Sequence, residues 1–137
     1  MRWSAAIIVL GAITVAGCGG TKTPAAFTDR APLPNCGTVD SRDGLDDAER
    51  AAIACLTDAH AASESGELVV KLNGTEGELL VRYVRALNGG SAEVFSDNRH
   101  DSRASTDWSY QNSCQVIRSS PFEVITATEC GDSASLG

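Results

Sequence analysis

The sequence predicts an α+β domain: one N-terminal helix packed on a small, mainly antiparallel four-stranded sheet, with two disulfides. Three observations predict it. Apolar residues recur at helical spacing between residues 46 and 63. From residue 67 onward the period changes to two, in short runs separated by glycine-containing turns. Four cysteines, Cys36, Cys55, Cys114 and Cys130, are spread over the same region. A period near 3.6 marks a helix with one buried face, and a period of two marks strands with one buried face. A small sheet needs a second layer to cover its apolar side, and the helix is the element that supplies it.

The helix is expected over about residues 46–63. Asp46 and Glu49 have the spacing of a capping box, and carboxylates are favoured in a first turn. Ala48, Ala52, Cys55, Leu56 and Ala59, with Ile53 beside them, form its apolar stripe. The small residues allow close approach to a sheet. Ser65-Gly66 ends it, and His60 falls in the last turn, where the helix dipole favours a cation.

Strands follow in order. Leu68, Val70 and Leu72 alternate within 67–72. Asn73-Gly74-Thr75-Glu76-Gly77 is a turn, and its glycosylation-like Asn-Gly-Thr reads simply as part of that turn. Residues 78–87 form the next strand, with Leu79, Val81 and Tyr83 on one face and Arg82 on the other. After Asn88-Gly89-Gly90 comes a strand over 91–97. Short turns of this kind join antiparallel neighbours. Residues 98–107 read as a polar loop. Residues 108–118 read as either a strand or a short helix, and 122–128, rich in β-branched residues, as the last strand. Residues 131–137 read as a loose tail.

Before this domain stands a different kind of sequence. Arg2 precedes an almost wholly apolar run from Ala5 to Ala16, which ends in Gly17-Cys18. A cationic start, a short apolar run and small residues at its end make a secretory signal. The run is shorter than the roughly 20 residues that span a bilayer. Val15-Ala16-Gly17-Cys18 resembles the lipobox of bacterial lipoproteins. The resemblance covers residues 1–18. It implies cleavage after residue 17 and a diacylglyceryl thioether on Cys18. It thus implies attachment to the cell membrane outside the cytoplasm. Two acyl chains suffice for lasting attachment where one is marginal. Residues 18–35, with three of the four prolines, read as a flexible tether to a domain over 36–130.

Cysteine arithmetic agrees with this address. Without Cys18 an even number remains, and exported cysteines pair in an oxidising compartment. Four cysteines allow three pairings. The preferred one is Cys36–Cys55 with Cys114–Cys130, which pins the tether's end to the helix and ties the last two elements together.

Charge limits the partners. The chain carries 11 basic and 18 acidic residues, for a net of −7; loss of Arg2 with the signal makes it −8. Such a chain is a poor general ligand for nucleic acid, which needs clustered cations. The later arginines, Arg82, Arg85, Arg99, Arg103 and Arg118, offer a modest anion-binding patch.

No catalytic motif, cofactor signature or metal-ligand spacing is found in the sequence. The expected role is that of a lipid-anchored, non-enzymatic binding module with an envelope protein or glycan as partner. The expected contact surface is the polar loop and the aromatics beside it: Arg99, His100, Arg103, Trp108 and Tyr110. Two alternatives stand beside it. His100 with a neighbouring Asp and Ser in the 96–103 loop suggests acid–base chemistry of a small hydrolase. The acidic block Asp40–Asp47 suggests a calcium or small-ligand site, although it lacks the alternating ligand pattern of a calcium loop.

Overall fold

The computed structural model describes residues 22–119 and 124–136. The signal segment, Cys18 and the start of the expected 122–128 strand lie outside these residues. Strand β1 (Asn35–Asp40) leads through a short 3-10 turn into a 15-residue helix, Asp47–Ala61, here α2. Then follow β2 (Gly66–Asn73), β3 (Leu79–Ala86), β4 (Ala92–Asp97) and β5 (Trp108–Cys114). Two three-residue strands, β6 (Val116–Arg118) and β7 (Thr126–Thr128), and a final β8 (Asp132–Leu136) complete the chain. A four-residue helix, α1 (Ala25–Thr28), precedes β1.

The main sheet has six strands in the order β1-β2-β3-β4-β5-β8, and β6 and β7 form a separate two-stranded sheet. β1 pairs parallel to β2, and every other pair is antiparallel. The expected α+β class and mostly antiparallel sheet are therefore present. Two details differ. The sheet has six strands rather than four, and the long helix is not N-terminal. It is the crossover between β1 and β2, and parallel neighbours need such a connection.

Helix α2 starts as the sequence predicts. The Asp46 side chain accepts from the Glu49 N–H at 2.8 Å, and the Glu49 carboxylate accepts from the Asp46 N–H at 2.9 Å. The other Glu49 oxygen accepts from the Asp40 N–H at 2.7 Å. One residue thus caps the helix and holds it to the end of β1. Ala52, Ile53 and Leu56 are buried, while Ala48 is exposed. The buried stripe packs on Val39, Leu68, Val70 and Val84. Gly66 lets this layer approach closely: a Cβ there would lie 3.4 Å from Cys36 Sγ and 3.5 Å from Leu56 Cδ1. The β6–β7 pair contributes Ile117 to the same core, and the neighbouring Ile125 joins it. Both preferred disulfides are present, Cys36–Cys55 and Cys114–Cys130. They fit an oxidising compartment outside the cytoplasm. No helix among the described residues is long and apolar enough to cross a membrane.

The other face of the sheet is covered by the chain before β1. Phe27 lies among Tyr83, Phe95 and Trp108, with centroid separations of 4.5, 5.5 and 4.7 Å. Arg30 stacks over Phe27 at 3.8 Å and pairs with Glu67 at 3.1 Å. The guanidinium of Arg85 donates to the Ala31 carbonyl. The expectation of a flexible tether over 18–35 is corrected from Pro24 onward: these residues form a strap across the sheet. Phe27 and Arg30 dock on the aromatic rings and the carboxylate that the sheet presents. The loose tail is corrected too, since Asp132–Leu136 pairs with β5 along its length. Its polar residues conceal a strand whose partner supplies the backbone ladder.

Candidate functional site

The expected contact surface is only partly a surface. Trp108 is 1 % exposed and packs beneath Phe27. Tyr110 is half-buried and donates its hydroxyl to Glu93 at 2.6 Å. Burial first, and that hydrogen bond second, push its pKa up to about 12. Arg99 forms a two-pronged pair with Asp97, at 2.8 and 2.6 Å, and its guanidinium lies 5.2 Å from the Trp108 ring. Burial disfavours the Asp97 charge, but the side-chain and backbone hydrogen bonds from Arg99 outweigh it and hold the carboxyl below its usual range. Arg103 pairs with Glu76. His100 is exposed. The structure therefore brings Arg99 and Trp108 together as an internal brace for the loop. It does not gather the five residues into one exposed patch.

The other sequence candidates also have local tasks. Asp40 accepts from Arg42 at 2.7 and 2.5 Å, and that hydrogen bonding lowers its pKa to about 2. Asp46 caps α2. No group of three or more His, Cys, Asp or Glu is placed to hold a metal among the described residues. His60, in the last turn of α2, has Nε2 3.2 Å from the Gln115 carbonyl.

The later arginines separate by environment. Arg85 is buried at 3 % exposure between Glu67 and Glu93. Its Nε lies 2.9 Å from Glu67, an ion-pair contact whose direction leaves that N–H without an aligned hydrogen bond. Arg99 and Arg103 are paired as described. Arg82 differs. Among the described residues it has neither a salt bridge nor a side-chain hydrogen bond. It lines a cleft instead.

Sheet register builds this cleft. Arg82 pairs with Ser96 across β3 and β4, and Ser96 pairs with Ser109 across β4 and β5. The neighbouring row runs from Val84 through Val94 and Gln111 to Ser133. These positions share the face on which α2 rests. At the β1–β2 end that face is apolar and covered by the helix. Toward β5 and β8 it turns polar, and Thr126 and Ala127 also line the cavity there. The cavity holds about 370 Å³ and is lined by Arg82, Ser96, Asn98, Ser109, Gln111 and Thr126 among others. Val84, Val94 and Ile125 give it an apolar floor, each at most 4 % exposed. Pockets for small ligands range over about 300–1,000 Å³, with apolar walls and a few fixed polar groups. This cleft falls at the small end, with an unusual share of hydroxyls and amides.

Sequence reading reached Arg82 only as one of five arginines. Ser96 entered only through the 96–103 loop of the hydrolase alternative, and Ser109, Gln111, Thr126 and Ser133 gave no motif. A signal was present nonetheless: polar residues occupy strand positions whose pairing partners face a core. Register was needed to see it.

Two further cavities are less informative. One, bounded by Leu45, Ile53, Ser119 and Val124, ends at the two described residues that flank 120–123. The other runs beside the strap between Leu33, Leu87 and Phe95. Compared with protein-family models, curated proteins and solved structures, the chain shows no match to any.

Proposed function

We propose that this protein is an exported lipoprotein, anchored through Cys18, that acts as a non-enzymatic binding module and holds its ligand in the Arg82 cleft. The observation that carries the proposal is a cationic side chain without a carboxylate partner among the described residues. It lines a cleft otherwise made of hydroxyls, amides and an apolar floor. Hydroxyls and amides both donate and accept, so they suit a polar ligand. The described lining contains no His, Cys, Asp, Glu or Lys. Acid–base catalysis would draw on such groups, and the Ser and Thr hydroxyls of the cleft would need one of them as a base to become nucleophiles. This favours binding over the hydrolase reading, whose His100 lines none of the cavities described above.

The test is capture from solubilised envelope. Mature chain carrying Cys18→Ser, with both disulfides formed, is immobilised and exposed to the extract. Ser109→Tyr, which fills the cleft, is run beside it. Retention of an envelope component by the first protein and its loss from the second is expected. Equal retention by both would move the binding site elsewhere on the molecule.

A further inference from the structure

We infer that the Arg82 cleft recognises a carboxylate, presented by a small polar ligand as a monoanion. This deepens the binding-module reading and rests on it. Four observations carry it. The first is the state of Arg82. Three other arginines, Arg85, Arg99 and Arg103, are each matched to a carboxylate of the protein. Arg82 alone of these four lacks one among the described residues. A guanidinium presents a planar fork of donors that fits a carboxylate in two parallel hydrogen bonds.

The second observation is the number of charges. One arginine lines the cleft, and no other charged residue does so among the described residues. A single cation matches a single negative charge. A phosphate dianion would leave a second charge unmatched in a molecule that already carries a net −7. Phosphate sites use clustered cations or a run of converging backbone N–H groups. Among the described residues Arg82 is the one cation that lines this cleft.

The third observation is the ring of hydroxyls. Ser96 and Ser109 lie successively beyond Arg82 in one cross-strand row. Thr126, on β7, lines the same cavity. Hydroxyls donate to the carboxylate lone pairs that a guanidinium leaves unused. Gln111 and Asn98 supply both donors and acceptors for the neutral remainder of the ligand. The fourth is the floor of Val84, Val94 and Ile125, which is nearly solvent-free. An ion pair above such a floor is less screened than one at the open surface.

Two sources can present this group: a uronic acid sugar or the C-terminus of a short peptide. Probes are chosen to separate them. The mature Cys18→Ser chain is isotope-labelled, and the amide resonances of Ser96, Ser109, Gln111 and Thr126 are followed. Sodium glucuronate is compared with glucose, and N-acetyl-alanyl-alanine with its C-terminal amide. Inorganic phosphate is a further arm. Each is taken to about 20 mM, which reaches dissociation constants in the millimolar range.

One of the two carboxylates is expected to shift these resonances, with its neutral counterpart at least tenfold weaker. Which one binds identifies the source. Arg82→Gln is expected to weaken that binding tenfold or more, while Arg50→Gln, at an exposed position that pairs with Asp47 and does not line the cleft, leaves it unchanged. Thermal unfolding of Arg82→Gln establishes that the loss is not a loss of fold. The inference is overturned by equal binding of the acid and its neutral counterpart. It is also overturned by unchanged binding in Arg82→Gln, by phosphate binding more tightly than both acids, or by no shift with either acid. Of these outcomes, a neutral sugar seated in the cleft would retain the binding-module reading. Failure of the envelope capture as well would remove both.

Discussion

Phe27 stands edge-on to Tyr83, with ring centroids 4.5 Å apart and planes at 61°. This pair joins a residue eight positions before β1 to the middle of the sheet's third strand. Aromatic pairs of this geometry add about 0.5–1.5 kcal/mol beyond the area they bury. The strap is thus part of the fold. Phe27→Ala is expected to destabilise the domain by about 1–3 kcal/mol, less than the truncation of a fully buried Phe because Phe27 is only half-buried. Denaturant unfolding measures it. A change below about 0.5 kcal/mol would show that the strap contributes no more than an ordinary surface segment.

Arg85 gives a second expectation. Its guanidinium is almost wholly buried and faces Glu67 and Glu93, whose side chains are 18 % and 12 % exposed. Removing one partner from a buried pair leaves charge without compensation, at a cost of about 3–5 kcal/mol. Arg85→Leu is therefore expected to be strongly destabilising. Adding Glu93→Gln should recover part of the loss, since Glu93 is the carboxylate left without a cation while Glu67 keeps Arg30. An equal loss in the single and double variants would mean that shape, not charge, sets the penalty at this site.

Asp97 makes stability depend on acidity. Its folded pKa is depressed, so the ionised form is favoured in the folded state. The contribution is complete above the unfolded carboxyl pKa, near 3.8. It falls away as pH drops from there through the folded value. Asp97→Asn should flatten the loss of stability below about pH 4. Asp40 is depressed to about 2, but it sits in solvent, where ion pairs contribute little. Asp40→Asn should therefore flatten the curve less. Unfolding followed across the acid range decides between them, and parallel curves for Asp97→Asn and the unaltered protein would contradict the assignment.

Lipid attachment at Cys18 is checked in cells. Cys18→Ser should abolish incorporation of labelled palmitate and shift the protein from the membrane fraction to the soluble one. Palmitate labelling that persists in this variant would place the lipid elsewhere, and no labelling of the unaltered protein would refute its presence.

Much of this fold was legible in the sequence because local chemistry decided it. The Asp46–Glu49 box, the helical stripe, and the alternation over 67–72 and 78–87 each act within one turn or one strand. The preferred cysteine pairing also came through, since each bond joins elements close in sequence. What escaped was decided by distant partners. Asp132–Leu136 has few apolar residues and becomes a strand because β5 has an open edge. Residues 24–33 look like a proline-rich linker until the aromatics of β3, β4 and β5 are set side by side. Ile53 rather than Ala48 completes the helix's buried side, because the covering layer sets where the stripe is centred. The candidate site was the least legible part. Trp108 drew attention as a contact aromatic beside the polar loop and is among the most buried residues, while nothing in the sequence joined Ser96 and Ser109 to Arg82 until pairing aligned them.

The docking of the strap sets a reach. With lipid on Cys18, as proposed, only residues 18–23 separate the anchor from packed Pro24. Six residues fully extended span about 20 Å. The domain would then ride within about its own radius of the lipid headgroups rather than roam on a long leash. The strap lies across one side of the sheet and the Arg82 cleft opens on the other. A chain that left the bilayer and immediately crossed the near side would direct the opposite side outward. The ligand would be met in the space beyond the membrane, not drawn from the lipid itself.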